Sequence, residues 1–221
     1  MCGRFLLHSP VDLLQRAFGF SELPNLQPRY NVAPTQAVPI IRRKEGSGRE
    51  LTMVRWGLVP FWAKDLKIGS QLINARAETV TSKPAFRAAF AKRRCLVPAD
   101  GFYEWQKREG SKLKQPMLIR RRDAAPFAFA GLWESWRGPD GEVQTCTIVT
   151  TEANAVLSPI HNRMPVVLEP GAYDRWLDPE QPSAELLLPC PDEWLEAFPV
   201  STHVNNVRND AAELITPMNS A

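Results

Sequence analysis

The sequence predicts an α+β fold: a single domain over residues 1–221, built on a bent or barrel-like, mostly antiparallel β-sheet with a few peripheral helices. Three observations predict it. Apolar runs of strand length recur in pairs around short polar turns, only two segments carry a clear helical pattern, and no linker, repeat or low-complexity tract interrupts the 221 residues. A chain of this length can bury one large core.

Taken in order, Ser9-Pro10-Val11-Asp12 reads as a helix start, with Ser9 as N-cap, Pro10 at the first helical position and Asp12 complementing the dipole. Val11, Leu14, Ala17 and Phe18 form its apolar stripe, and Gly19 is its stop. Strands over 37–43 and 50–56 flank Glu45-Gly46-Ser47-Gly48, a hairpin signature. A second helix is expected over 84–92, capped by Ser82, with Phe86 and Phe90 turned one way and Arg87, Lys92 and Arg93 in water. Strands over 102–107 and 117–121 flank a polar turn around Gly110, and strands over 127–133 and 143–150 flank Gly138-Pro139-Asp140-Gly141. The 20 prolines exceed the usual share of about 5% and predict many loops.

The longest apolar stretch, 126–133, falls far short of the roughly 18 residues a membrane span needs, and the N-terminus lacks a basic segment followed by an apolar one. A cytoplasmic protein with no membrane anchor is expected. Cysteines at 2, 95, 146 and 190 form no C-x-x-C pair, so neither a zinc knuckle nor a disulfide framework is predicted, and no metal or other cofactor is expected. The net charge of +3 conceals a split: residues 1–122 hold 23 Lys and Arg against 9 Asp and Glu, whereas the remainder holds 4 against 15. Two readings are open, a polyanion bound by the first half or two interlocked halves that neutralise each other in the fold.

Several stretches carry polar residues where a strand or helix pattern should continue. Cys2 reads either as a small apolar residue beside a retained Met1 or, once Met1 is removed, as a residue bearing an α-amine and a β-thiol on adjacent carbons. That pair is matched to an aldehyde: the amine condenses to a Schiff base and the thiol closes on the same carbon, giving a thiazolidine. Ring closure is intramolecular, where effective concentrations reach ~10⁵ M or more. His161, in the proline-bounded loop 159–165, is either a hydrogen-bonded loop histidine or a proton-transfer group. Glu104 shares a strand face with Phe102 and Gln106, either solvated or pushed into a site where desolvation raises its pKa. Asn74 and Arg76, two apart on a strand, suit an amide that positions a reactant beside a guanidinium that grips phosphate. Trp56, Phe61 and Trp62, interleaved with Arg55, Lys64 and Lys67, suit either nucleobase stacking or core packing, the latter preferred for Trp56.

Six ordered blocks together carry a resemblance: Met1-Cys2-Gly3-Arg4-Phe5, Arg29-Tyr30-Asn31-Val32-Ala33-Pro34, Trp56-Gly57-Leu58-Val59-Pro60, Ile73-Asn74-Ala75-Arg76-Ala77-Glu78-Thr79, residues 95–105, and His161-Asn162-Arg163-Met164-Pro165. The chain resembles the SRAP (SOS-response-associated peptidase) family from residue 2 to Val204-Asn205-Asn206-Val207. The resemblance implies a DNA-damage protein that recognises abasic sites in single-stranded DNA and at junctions with duplex, and captures the sugar aldehyde as a thiazolidine crosslink, with Schiff-base lyase activity alongside. It implies Cys2 as nucleophile, Asn74 as the residue positioning amine and sugar, Glu104 as acid/base, and His161 assisting proton transfer as the deoxyribose ring opens. It further implies Arg4, Arg76 and Arg163 on phosphates, and Asn31, Pro34 and Trp62 on a surface that kinks the strand or wedges against a paired end. Phe61 departs from the pattern, standing where bacterial relatives are expected to carry a second tryptophan. The alternative activity is a thiol peptidase, with Cys2 as nucleophile, His161 as base and Asn74 or Glu104 as orienter. A non-catalytic single-strand binding module is the third reading.

Overall fold

A computed structural model describes residues 2–44, 46, 48–111 and 113–218. The expected loss of Met1, and Glu45 and Ser47 of the first hairpin signature, lie outside the described residues. The first strands are β1 (Phe5–Leu7), β2 (Arg29–Val32), β3 (Ala37–Arg43), β4 (Arg49–Trp56) and β5 (Asn74–Arg76). Next come β6 (Arg94–Ala99), β7 (Gly101–Gln106), β8 (Gln115–Arg121), β9 (Phe127–Gly138) and β10 (Gly141–Glu152). The chain continues through β11 (Arg163–Pro165), β12 (Val167–Leu168) and β13 (Leu195–Pro199). Helices α1 (Val11–Phe18), α2 (Arg87–Lys92) and α3 (Tyr173–Leu177) lie between them.

Five strands close a barrel in the order β10-β4-β3-β6-β9, because β9 pairs back onto β10 from Gly138↔Gly141 to Gly131↔Ile148. Its pairs are antiparallel except β4 with β10. The remaining sheet, β13-β8-β7-β1-β2, is antiparallel throughout. The expected α+β class with a barrel-like sheet therefore holds. Past Ile148, β10 runs on between β5, paired in parallel at Ile148↔Asn74 and Thr150↔Arg76, and β11, paired antiparallel at Glu152↔Arg163. That extension places Asn74 and Arg76 on one side of β10 and Arg163 on the other.

The two sheets meet through aromatic side chains packed edge to face. Phe129 of β9 lies 6.0 Å from Phe5, 5.8 Å from Phe102 and 5.3 Å from Phe127 between ring centroids, each pair worth about 0.5–1.5 kcal/mol beyond its buried area. Trp56 is fully buried, as its core reading expects, and its indole N–H donates to the Ile73 carbonyl at 3.0 Å. Inside the barrel Gly131 has no alternative: a Cβ there would fall 2.8 Å from Val97 Cγ2 and 2.9 Å from Cys95 Sγ.

Two helix starts differ from expectation. α1 begins at Val11 with Pro10 at the cap position, because the Ser9 hydroxyl donates to Asp100 at 2.6 Å, a carboxylate that also accepts the backbone N–H of His8 and Ser9. α2 begins at Arg87, not at 84, and the Ser82 hydroxyl donates back to the Thr79 carbonyl instead of capping forward. Gly19 ends α1 as expected, in the left-handed region at φ 68°. The charge split is partly internal to the fold: Arg29 pairs with Asp210, Arg43 with Asp178, Arg49 with Asp174, Arg93 with Glu134 and Arg120 with Glu196.

Candidate functional site

β1 and β7 bring the chain start beside Glu104. Phe5 pairs with Phe102, and the Tyr103 N–H donates to the Arg4 carbonyl at 2.9 Å, so the segment before Phe5 continues along β7. Cys2 is fully buried and Glu104 nearly so, at 3% exposure. Burial pushes the Cys2 thiol well above its ordinary range, and the neighbouring Glu104 carboxylate adds to the rise, while a hydrogen bond from the Arg4 backbone opposes it. Gln106, two residues on, donates to the Pro159 carbonyl at 3.2 Å and ties β7 to the loop that carries His161. His161 is half-buried, with its Nδ1 within hydrogen-bond distance of both the Arg163 backbone N–H, at 2.9 Å, and the Arg163 carbonyl, at 3.2 Å.

On the β10 extension, Asn74 has both side-chain polar atoms buried with no hydrogen-bond partner. An amide left this way costs about 1–3 kcal/mol per buried unsatisfied group. It opens into a groove of about 670 Å³ lined by Gln71, Arg76, Thr79, Ser82, Lys83 and Phe86. Arg76 and Lys83 are exposed, and the described residues give neither an ion pair. Lys83 lies 5.5 Å from the centre of the Phe86 ring. Lys83, Thr79 and Ser82 are functional candidates that strand and helix patterns did not single out, although the cationic run 83–94 carried a signal.

The remaining candidates divide. Arg163 is held from two sides: its guanidinium donates to both carboxylate oxygens of Glu78, and Nη2 donates to the Thr150 carbonyl at 2.7 Å. Arg4 donates to Asn31 Oδ1 at 2.7 Å and to the Val204 carbonyl at 2.8 Å, and lies 5.6 Å from the Trp105 ring centre. Asn31 is fully buried, its amide donating to the carbonyls of Val204, Asn206 and Asn209. Both residues thus fasten the segment 204–209 to β2. Pro34 is half-buried in a turn whose next residue, Thr35, takes φ 73° and donates its N–H to the Trp56 carbonyl. Trp62 is 51% exposed and Phe61 60%, on a loop leaving the end of β4. The base of that loop is rigid: Gly57, at φ 122°, approaches Gly69 so closely that a Cβ would fall 2.5 Å from the Gly69 carbonyl oxygen.

The fold is thus a closed barrel flanked by an antiparallel sheet, with a buried thiol near a buried carboxylate at the chain start and a buried amide beside a groove bearing Arg76 and Lys83 on the β10 extension. The chain belongs to the SRAP family: the family model described as SOS response associated peptidase matches residues 1–207. It is 47% identical to the abasic site processing protein YoaM of Bacillus subtilis, over 99% of both chains. It is 32% identical to the abasic site processing protein HMCES of Rattus norvegicus, over 98% of this chain and 76% of that one. Among solved structures, a protein from Bacteroides thetaiotaomicron matches with a TM-score of 0.83 at 28% identity, over 91% of this chain and 93% of the other. No helix among the described residues is long and apolar enough to cross a membrane.

Proposed function

We propose that this chain processes abasic sites in DNA, and that it does so by capturing the open-chain sugar aldehyde through Cys2 after Met1 is removed. The α-amine of Cys2 adds to the aldehyde carbon and gives a carbinolamine. Glu104 supplies a proton to the departing hydroxyl, water leaves, and the resulting carboxylate takes back a proton from the iminium nitrogen, so that a neutral imine remains. The thiol then adds to the imine carbon, its proton passing to the nitrogen, and a thiazolidine closes. Water is the only molecule lost, and no oxidant or reductant takes part. Asn74 aligns amine and sugar, while His161 assists opening of the deoxyribose ring.

The observation that carries this reading is the buried Cys2 thiol against the buried Glu104 carboxylate. A thiol peptidase needs a thiolate at neutral pH, whereas burial and a neighbouring carboxylate both act against one here. An imine asks less of the thiol, because it is a strong electrophile held on the next atom of the same residue. Single-stranded DNA and its junctions with duplex are the substrate that fits. Arg76 and Lys83 line a groove for phosphates, Arg163 borders the same edge, and Phe61 and Trp62 offer exposed rings for a strand end. Arg4 and Asn31 act through the segment 204–209 that they fasten, and Pro34 through the turn it occupies.

Mass spectrometry of the purified protein tests the proposal. The expected results are loss of Met1, and a covalent mass gain with an abasic oligonucleotide that survives without borohydride. Retention of Met1, or no adduct, overturns it.

A further inference from the structure

Arg163 is the cation of this edge that already has an anion on it. The Glu78 carboxylate engages its guanidinium through both oxygens, the fork-to-fork geometry with which arginine also binds a phosphate. Glu78 follows Arg76 on the turn that leaves β5, and Arg163 opens β11, so the pair spans the extension of β10 beside the Asn74 groove. The two partners are held unequally. The Arg163 side chain is 16% exposed, and its Nη2 keeps a separate bond to the Thr150 carbonyl. The Glu78 side chain is 52% exposed, and its carboxylate is held by Arg163, by its own backbone N–H and, at longer range, by Arg76. An ion pair with one partner half in water is weakly held, so the carboxylate can leave while the guanidinium stays aimed.

We infer that Glu78 is a built-in phosphate surrogate: it occupies the Arg163 fork in the free protein and is displaced by a DNA backbone phosphate when a strand enters. Glu78 thereby sets the affinity of the site from within. It lowers affinity for strands that merely pass, and it keeps the half-buried guanidinium neutralised in the absence of DNA. The inference rests on the reading of this edge as a single-strand binding surface.

The test is a double-mutant cycle, with binding of a labelled single-stranded oligonucleotide that carries no abasic site read by fluorescence anisotropy at fixed salt. Glu78→Gln should tighten binding about three- to tenfold, since it removes the competing charge and keeps the shape. In an Arg163→Ala background the same substitution should change affinity less than about twofold. An equal gain in both backgrounds would mean that Glu78 acts only as one more negative charge, and it overturns the inference. So does a Glu78→Gln protein that binds no tighter than wild type. Should Glu78→Gln not fold, carboxyl NMR of the unmodified protein decides: saturating oligonucleotide should move the Glu78 resonance from its paired to its solvated position, and an unmoved resonance refutes displacement. If wild type binds no single strand at all, the proposed function fails, an outcome distinct from binding that Glu78 does not modulate.

Discussion

The two ends of the barrel are both rich in cations, yet they use them differently. At the end marked by the β3–β4 turn, Arg42 pairs with Glu50 at 2.6 Å, Arg43 with Asp178 at 2.7 Å, Arg49 with Asp174 at 2.6 Å and Arg93 with Glu134 at 2.7 Å. Arg94, buried there, donates to the carbonyls of Trp176, Asp178 and Gln181. At the other end, where β10 leaves the ring, Arg163 is paired with Glu78, but Arg76 and Lys83 have no ion pair among the described residues and face a groove beside the unpartnered Asn74 amide. Excess charge in a sequence therefore does not locate a binding surface. What distinguishes the second end is cations and polar atoms that the fold leaves unused.

The largest effects should come from two of the buried carboxylates, Glu104 on β7 beside the chain start and Glu134 at the paired end of the barrel. Glu104→Gln should slow crosslinking by something like 10²–10⁴ while thermal stability changes little, as stopped time courses and melting curves would record. Glu134→Gln should do the reverse, costing about 1.5–3 kcal/mol of stability through its bond with Arg93, with the rate per folded molecule unchanged. A Glu104 variant that unfolds but retains its rate would erase the contrast. Next, Asn74→Ala should slow crosslinking at saturating DNA by roughly 10²-fold, with affinity nearly unaltered, because it loses alignment and not contact area.

Smaller effects should separate the cations. Arg76→Ala and Lys83→Ala should weaken intact and abasic strands alike, and each should reduce the salt dependence by about 0.7 in slope. Arg43→Ala, at the paired end, should leave both quantities unchanged in the same titrations. The smallest effect belongs to stability at Glu78. Hydrogen bonding from Arg163 holds its carboxyl below the usual carboxylate range, with Arg76 adding to the shift. A carboxyl depressed in the folded state stabilises above its unfolded pKa, and that contribution is lost as pH falls through the folded value. With Glu78 half exposed, Glu78→Gln should cost less than about 1 kcal/mol near neutral pH, and melting curves of the two proteins should converge in acid.

Both long hairpins were legible because apolar runs flank recognisable turns: β3 matches its expected range and β4 begins one residue early, whereas β9 runs five residues past the expected 133 and β10 extends by two at each end. β6 was not, since Arg94–Ala99 is buried along its whole length and shows no alternation. β5 has three residues, too few for any period to register. The expected Ser9 cap failed because its competitor, Asp100, is 91 residues away. Distance in sequence also hid what Arg4 and Asn31 touch, the segment 204–209. Cys2, Asn74, Glu104 and His161 stood out as candidates through motifs, whereas the occupation of Arg163 by Glu78 needed coordinates. Nothing in the spacing of β5 and β11 indicates that β10 passes between them.

The central claim is that one aldehyde carbon receives both the amine and the thiol of Cys2, and an N-terminal extension that cannot be removed tests it most directly. The extension leaves the thiol in place and converts the amine to a peptide nitrogen. Incubated with an abasic oligonucleotide, the extended protein should form neither an imine that borohydride traps nor an adduct that survives without reduction, while Cys2→Ala, processed to a free amine, should still yield the trapped imine. An extended protein that crosslinks at the unmodified rate would contradict the account, because Cys2 would then act through sulfur alone.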